Sequence, residues 1–431
     1  MKENLKVVIS GGGTGGHIFP AIAIADALKR RFPKADILFI GAKGRMEMER
    51  VPKAGYPIEG LWISGMTKDI SSLLLPLKLT SSINRAIAIL KRFKPDVVVG
   101  VGGFASGPTL MGANYLRIPT VIQEQNSYPG KTNRNVGKKA KAICVAYDHL
   151  DQWFPAEKIH FTGNPLRANI ALNGTREEAA EFFQLDPTQP VALLVGGSQG
   201  ALGINKGISA QLAAFKDSDL QLIWQTGKTY ITQALQEVKD LGLEHQVKPT
   251  VFIDRMDLAY GLANVVISRA GAMSISELAL VQKPVIFVPL PTAAEDHQTK
   301  NAQQLVDAEA ALMVRNADTE KDLIPTLFQL KDNQELQDKL STNIGKFARP
   351  NAADDIVQVI VESLEFRDIG LSHRGSRKLK QANETRRRTY DILVRHRRHR
   401  HECPGSLLPQ LRLHRGWIRP YPFPSYQTIG K

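Results

Sequence analysis

The sequence predicts an α/β protein made of two doubly wound domains, and two observations carry the prediction. Short apolar runs alternate with amphipathic helical stretches, twice over, as in parallel sheets covered on both faces. Glycine-rich turns recur where a predicted strand hands over to a helix: Gly11-Gly12-Gly13-Thr14-Gly15-Gly16-His17, Gly100-Val101-Gly102-Gly103-Phe104-Ala105-Ser106-Gly107 and Gly196-Gly197-Ser198-Gln199-Gly200.

In the first series Lys6–Ser10 reads as a buried strand, and Ile18–Arg31 as a helix with Ile22, Ala25 and Leu28 on its apolar face. Ile37–Gly41 is the next predicted strand, followed by strands at Val97–Gly100, Pro119–Gln123 and Ala142–Val145. The alternation breaks near Gly163-Asn164-Pro165, which sets the predicted boundary between a domain of residues 1–165 and one of residues 166–351. In the second series, strands are predicted at Val191–Gly196, Leu220–Gln225, Val265–Ser268 and Val285–Val288. The helices between them are predicted near Ile204–Phe215, Thr229–Leu241, Ser274–Val281 and Gln298–Ala308. A last amphipathic helix is predicted over 352–365, with Ile356, Val359, Ile360 and Leu364 on one face.

At 431 residues the chain has room for two ordinary domains and a tail. Cys144 and Cys403 lie far apart without metal-ligand spacing, which argues against a disulfide framework or a zinc site and fits a reducing cytoplasm. No apolar run reaches membrane-spanning length and the N-terminus lacks a signal-like core, so the chain is expected to be neither exported nor membrane-spanning. The net charge of +14 suggests a nucleic-acid partner, but Phe366 to Lys431 holds 16 Lys and Arg against 4 Asp and Glu, a net +12. The basicity therefore belongs to the tail. Residues 367–431, with Arg386-Arg387-Arg388 and His396-Arg397-Arg398-His399-Arg400-His401, are predicted to be disordered. The tail reads either as a binding segment for nucleic acid or anionic lipid or as an extension without a role, a frame-altered end included. A basic run alone favours the second, and no specific nucleic-acid partner is expected.

Glycine turns at strand–helix junctions bind phosphate, because the backbone can approach an anion closely and the helix N–H groups point at its charge. Three of them across two domains suggest a diphosphate-bearing substrate in a cleft at the carboxyl ends of both sheets. Gly11, Gly13 and Gly16 satisfy the dinucleotide fingerprint, but that reading needs an acid at the end of the second strand, where Phe39-Ile40-Gly41-Ala42 stands. Hydride transfer is therefore excluded, and so is a nucleotide-binding P-loop, whose lysine motif does not occur. His17, at the mouth of the first turn, is the candidate base for a sugar hydroxyl, against the alternative of a histidine that caps or packs the helix start. Glu277, one turn into a helix that follows Ser268-Arg269-Ala270-Gly271, can accept from two ribose hydroxyls, or can be a first-turn acid favoured by the helix dipole. Gln298 and Asn301 fall on one helical face and suit sugar hydroxyls, while Asp296 reads as an ordinary N-cap.

Taken together, Thr14-Gly15-Gly16-His17, Gly102-Gly103-Phe104-Ala105-Ser106-Gly107-Pro108, Glu124-Gln125-Asn126, Gly163-Asn164-Pro165-Leu166-Arg167, Gly196-Gly197-Ser198-Gln199-Gly200, Arg269 to Glu277 and Asp296-His297-Gln298 resemble the MurG family, in its order, over roughly residues 5 to 365. These are bacterial glycosyltransferases that add N-acetylglucosamine to lipid I, making lipid II for peptidoglycan. The resemblance implies a GT-B fold, UDP-N-acetylglucosamine as donor, lipid I as acceptor, inversion at the anomeric carbon, and no required metal or other cofactor. Carried over by position, Thr14, Gly15, Gly16, Asn126, Arg167, Ser198, Ile253, Ala272, Met273, Ser274, Ile275, Ser276, Glu277 and Gln298 would contact the donor, Ile253 serving uracil through its backbone. Gly102, Gly103, Phe104, Ala105, Ser106 and Gly107 would hold the acceptor diphosphate, and the 352–365 helix would pack back on the first domain. The competing readings are another GT-B glycolipid glycosyltransferase, a UDP-sugar epimerase, or a binding protein for nucleotide sugars or nucleic acid.

A lipid-linked acceptor requires proximity to a membrane. Ser71–Arg92 contains Leu73-Leu74-Leu75-Pro76-Leu77-Lys78-Leu79 followed by Arg85, Lys91 and Arg92, and is expected to attach the protein peripherally to an anionic surface, the cytoplasmic face of the plasma membrane. A buried helix pair is the alternative.

Overall fold

The computed structural model describes residues 4–13, 15–63, 75–166, 174–196, 200–293 and 296–365. The sequence-predicted site residues Thr14, Arg167 and Ser198, the leucines at 73 and 74, and the basic tail lie outside the described residues.

Two parallel sheets form. The first holds β1 (Lys6–Gly11), β2 (Asp36–Ala42), β3 (Ile58–Leu61), β4 (Val97–Gly102), β5 (Thr120–Glu124), β6 (Ala142–Val145) and β7 (Ile159–Phe161), in the order β3-β2-β1-β4-β5-β6-β7. The second holds β8 (Val191–Val195), β9 (Gln221–Gln225), β10 (Val247–Thr250), β11 (Val265–Ser268), β12 (Val285–Phe287) and β13 (Leu312–Met313), in the order β10-β9-β8-β11-β12-β13. Each sheet thus starts at its centre, runs outward to one edge and then crosses over. In the first sheet the direction reverses between β1 and β4, in the second between β8 and β11. The glycine turns follow β1, β4 and β8, so they flank the two reversal points, where adjacent loops diverge and leave a crevice.

The helices are α1 (Gly15–Arg31), α2 (Glu47–Lys53), α3 (Leu75–Phe93), α4 (Ser106–Tyr115), α5 (Lys131–Gly137), α6 (Arg176–Phe183), α7 (Leu202–Ala210), α8 (Ile231–Leu241), α9 (Met256–Leu262), α10 (Ala272–Val281), α11 (His297–Asp307), α12 (Thr319–Lys331), α13 (Gln334–Gly345) and α14 (Ala352–Glu365). Strand alternation divides them between the sheet faces. Val7 and Ile9 of β1 point to the face covered by α1 and α14, whereas Val8 points to the face covered by α3 and α4. In the second sheet Leu193 packs with α9 and α10, and its neighbours Ala192 and Leu194 with α7 and α12. After the second sheet is complete, α14 returns to the first: Ile356, Val357 and Ile360 are buried in the cluster built on β1 and α1, and Asp354 pairs with Arg30 at 3.0 Å.

One element differs from its prediction. The stretch expected as a helix over Ile204–Phe215 is α7, ending at Ala210, and a separate 3-10 turn over Leu212–Asp217. Gln211 leaves helical geometry at φ −131° and breaks the rod. Leu212 and Phe215 are nevertheless buried with Ile204 and Ile208, so the apolar pattern continues across a break in the backbone.

Candidate functional site

The first two glycine turns interlock. A Cβ on Gly103 would lie 2.0 Å from the carbonyl oxygen of Gly12, and one on Gly13 would touch the Phe104 ring at 3.5 Å. Only glycine allows the two backbones to meet so closely, and Gly13, Gly102 and Gly103 all have positive φ (89°, 89° and 85°). The His17 ring lies against Gly102, where a Cβ would be 2.8 Å from its Cδ2. His17, two residues into α1, is thus wedged between the turn it ends and the turn after β4. Burial, and charge repulsion from His297 to a lesser degree, push its pKa down to about 4. The imidazole is neutral at pH 7 and has a lone pair for a proton.

Beyond His17, Gly16 is exposed and Gly15 and Gly103 partly so. Phe104 is also exposed, but Ala105 and Ser106 are fully buried at 0%. The Ser106 hydroxyl faces inward toward Gly100, with no hydrogen-bond partner among the described residues. Any ligand on that loop meets backbone and the Phe104 ring rather than the serine.

The loop after β5 is wound around Glu124, a carboxyl group only 1% exposed. One oxygen accepts from the backbone (3.0 Å) and side-chain (3.3 Å) nitrogens of Asn126, and the other from Gly130 N (3.1 Å) and Asn133 Nδ2 (2.8 Å). Burial raises the Glu124 pKa against the pull of these four bonds. Asn126 is held, partly exposed, by a residue that sequence reading valued only as part of a motif. The same is true of Arg269, whose Nη1 donates to Val288 O, Pro289 O and Asn316 Oδ1 and ties the turn after β11 to the end of β12. Burial lowers the Arg269 pKa to about 10, which still leaves it charged at neutral pH.

On the second sheet α10 begins at Ala272, directly after Gly271. Glu277 therefore stands in the second turn of the helix, and the alternative of a first-turn acid favoured by the dipole does not hold. The Tyr260 hydroxyl donates to Glu277 Oε2 at 3.3 Å, leaving the carboxyl partly exposed. Met273, Ser274 and Ser276 are partly exposed, whereas Ile275 and Ile253 lie in the core at 3%. Those two can meet a ligand only through backbone. Gln298 accepts from Leu290 N at 3.0 Å, which fixes it against the loop after β12. Asp296 makes no side-chain cap bond to α11, contrary to expectation; it sits at φ 54° and accepts from the Thr299 hydroxyl. Gly200, closing the third turn, approaches Thr226 so nearly that a Cβ would be 2.2 Å from its carbonyl oxygen.

Asn301 and Asn164 are among the described side chains that bridge the sheets. Asn301, expected to face a sugar, is fully buried, and its Oδ1 accepts from the backbone (3.2 Å) and hydroxyl (2.6 Å) of Ser127. Asn164 donates to Gln125 O at 3.2 Å and to Ser276 Oγ at 3.1 Å. These bonds hold the loop that carries Asn126 against α10 and α11.

Glycosyltransferase family 28 is matched twice: its N-terminal domain by residues 7–145 and its C-terminal domain by residues 191–356. A protein of Christiangramia forsetii named as UDP-N-acetylglucosamine–N-acetylmuramyl-(pentapeptide) pyrophosphoryl-undecaprenol N-acetylglucosamine transferase is 50% identical over 363 residues, covering 84% of this chain and 98% of that protein. The chain belongs to the MurG family of glycosyltransferase family 28. A MurG crystal structure from Acinetobacter baumannii superimposes with a TM-score of 0.68 at 28% identity, over 83% of this chain and 99% of the other. A UDP-GlcNAc 2-epimerase of Neisseria meningitidis bound to UDP-GlcNAc reaches 0.60 at 18% identity, over 83% of this chain and 100% of the other, and shares the fold alone. The chain therefore has the GT-B fold, with one family 28 domain on each sheet. Within this MurG-family fold, one residue absent from the sequence-predicted site is Glu47, whose buried carboxyl group accepts from Gly13 N.

Proposed function

We propose that this protein transfers N-acetylglucosamine from UDP-N-acetylglucosamine to lipid I, the undecaprenyl-diphosphate-linked N-acetylmuramoyl-pentapeptide, to form lipid II. The observation that carries the reading is 50% identity across 98% of a relative bearing that activity in its name. In the proposed division of labour, residues 1–165 with the 352–365 helix form the acceptor and membrane half, and 166–351 the donor half.

The chemistry follows from one displacement. A neutral His17 takes the proton of the acceptor sugar hydroxyl as its oxygen bonds to the anomeric carbon, while the bond from that carbon to the UDP oxygen breaks on the opposite face. UDP leaves with the electron pair and the configuration inverts. The N-termini of α10 and of the helix after the third turn offer N–H groups to the departing diphosphate, and Glu277 accepts from the ribose hydroxyls. Asn126 and Gln298, together with Thr14, Gly15, Gly16, Arg167 and Ser198, complete the donor contacts. The turn from Gly102 to Gly107 takes the acceptor diphosphate.

The protein acts, in this reading, as a peripheral enzyme on the cytoplasmic face of the plasma membrane. Among the described residues no helix is long and apolar enough to cross a membrane. Trp62 and Leu77, 48% and 59% exposed, present apolar surface beside α3. Incubation with purified lipid I and labelled UDP-N-acetylglucosamine tests the whole reading: label should enter a lipid product only when lipid I is present. Transfer to diacylglycerol, or donor turnover without any acceptor, would replace it with a different glycolipid transferase or an epimerase.

A further inference from the structure

The first glycine turn is occupied from behind by a carboxyl group. Glu47, the first residue of α2, is 0% exposed. Its Oε2 accepts from Gly13 N and its Oε1 from Ala42 N, both at 2.9 Å. Ala42 lies beyond the last residue of β2 that pairs with β1, because the β1–β2 register ends at Ser10 and Ile40. The carboxyl group thus closes the gap that opens where β1 parts from β2. Room for it comes from two glycines. A Cβ on Gly12 would lie 2.2 Å from Oε1, and one on Gly41 2.6 Å from Cγ.

We infer that Glu47 is a positioning residue for glycosyl transfer, clamping the first glycine turn so that the second turn and His17 keep their mutual register. Deepening the transferase reading above, it rests on that reading. Gly12 and Gly13 touch Gly103 and Phe104, and His17 touches Gly102, so a shift of the clamped turn reaches the base and the acceptor loop together. The clamp also withdraws the Gly13 N–H from anion binding, since a carboxyl oxygen already fills that position. An anionic substrate group that reaches this turn must therefore use amides nearer the start of α1. In the proposed function UDP is held mainly by the other sheet, and the first-turn donor contacts at Thr14, Gly15 and Gly16 follow the clamped Gly13 amide, so UDP affinity should change little compared with turnover.

Glu47→Gln is the informative variant. A glutamine keeps the shape but has one oxygen, so its NH2 group must face either Gly13 N–H or Ala42 N–H, donor against donor. The expected result is a fall of about 10²-fold in kcat, as a misplacement near 1 Å costs, with the Kd for UDP within about twofold of wild type. Site-resolved amide exchange on the full chain should show Gly13 and Ala42 exchanging at least about tenfold faster in the variant, with the second sheet unchanged. Glu49→Gln, an exposed neighbour, should alter none of these. Wild-type kcat in Glu47→Gln overturns the inference, as does a loss of UDP affinity equal to the loss of kcat. If the variant does not fold, the wild type decides alone: a Gly13 amide that exchanges as fast as an open loop overturns the clamp. Absence of sugar transfer by the wild type would sink the transferase reading instead, and the Gly13 exchange rate would still confirm or overturn the hold of Glu47 on the turn.

Discussion

At the residue scale the two ends of the proposed displacement separate cleanly. His17→Ala should lower kcat by about 10²–10⁴-fold with little change in UDP affinity, because a general base acts in the transition state. Glu277→Ala should weaken the UDP-sugar instead, since ribose contacts exist before the reaction starts. Steady-state kinetics and UDP titration on both variants check the contrast, and identical kinetic patterns would reject the assignment. The depressed pKa of His17 adds a pH signature. With a folded value of about 4 against 6.5, the base stays neutral well below pH 6.5, so the acidic limb of kcat/KM should not fall at the usual histidine pKa. Stability has the matching sign. Between pH 6.5 and 4 the unfolded chain binds a proton at His17 that the folded chain refuses, so stability is full above pH 6.5 and declines as pH falls toward 4. Urea titrations of wild type and His17→Ala over that window should show a shallower decline in the variant. A common slope would mean that the ring is not enclosed in solution. His17 itself was legible from its place after Thr14-Gly15-Gly16. Its low pKa was not, because it depends on packing against Gly102 and on the charge of His297, 280 residues further along the chain.

At the scale of elements, α3 changes the view of membrane attachment drawn from its charges. Leu77, Arg85 and Arg92 fall on one helical stripe by their spacing, which suits an interface. Two of those cations, however, are engaged: Arg85 pairs with Glu59 at 3.3 Å, and Arg92 pairs with the same carboxyl group. Glu59, on β3, belongs to a strand of four residues that carries no usable period, so the pairing could not be read from sequence. Removing it should release both arginines toward anionic headgroups, each worth about 1 kcal/mol near such a surface. Glu59→Gln is therefore expected to raise affinity for phosphatidylserine vesicles by up to about 30-fold at low salt, and Leu77→Glu to lower it. Vesicle co-sedimentation across a salt series measures both, and unchanged binding in both variants would remove α3 from the interface. The long apolar strands β1, β4, β8 and β11 were legible because parallel strands buried on both faces are continuous aliphatic runs. The α7 break at Gln211 was not, since side-chain burial continues across it.

At the scale of the whole molecule, the doubled alternation of strand and helix was enough to predict two doubly wound sheets, and the glycine turns enough to predict where the crevice lies. What stayed hidden was long-range pairing: Asn301 to Ser127, Asn164 to Ser276, and Glu47 to Gly13. Such contacts are set by tertiary packing rather than by local pattern. The return of α14 lets this scale be tested by two truncations of the same chain. Stopping after Phe366 keeps every described element that packs on either sheet, so kcat and melting temperature should stay essentially at their full-length values. Stopping after Asn351 removes Ile356, Val357 and Ile360, each at most 1% exposed, and uncovers the Val7 and Ile9 face of the first sheet. At ~1.5–3 kcal/mol for each fully buried aliphatic side chain, the loss is about 5–9 kcal/mol, comparable with the entire ~5–15 kcal/mol that holds a domain folded. The shorter protein should therefore melt far lower, with the first sheet opening before the second, while retaining UDP binding in the donor half. Calorimetry of both truncations, with and without UDP, decides the matter. Equal melting by the two would mean that α14 contributes little to the first sheet, and loss of stability on removing only the tail would mean that residues beyond 366 belong to the fold.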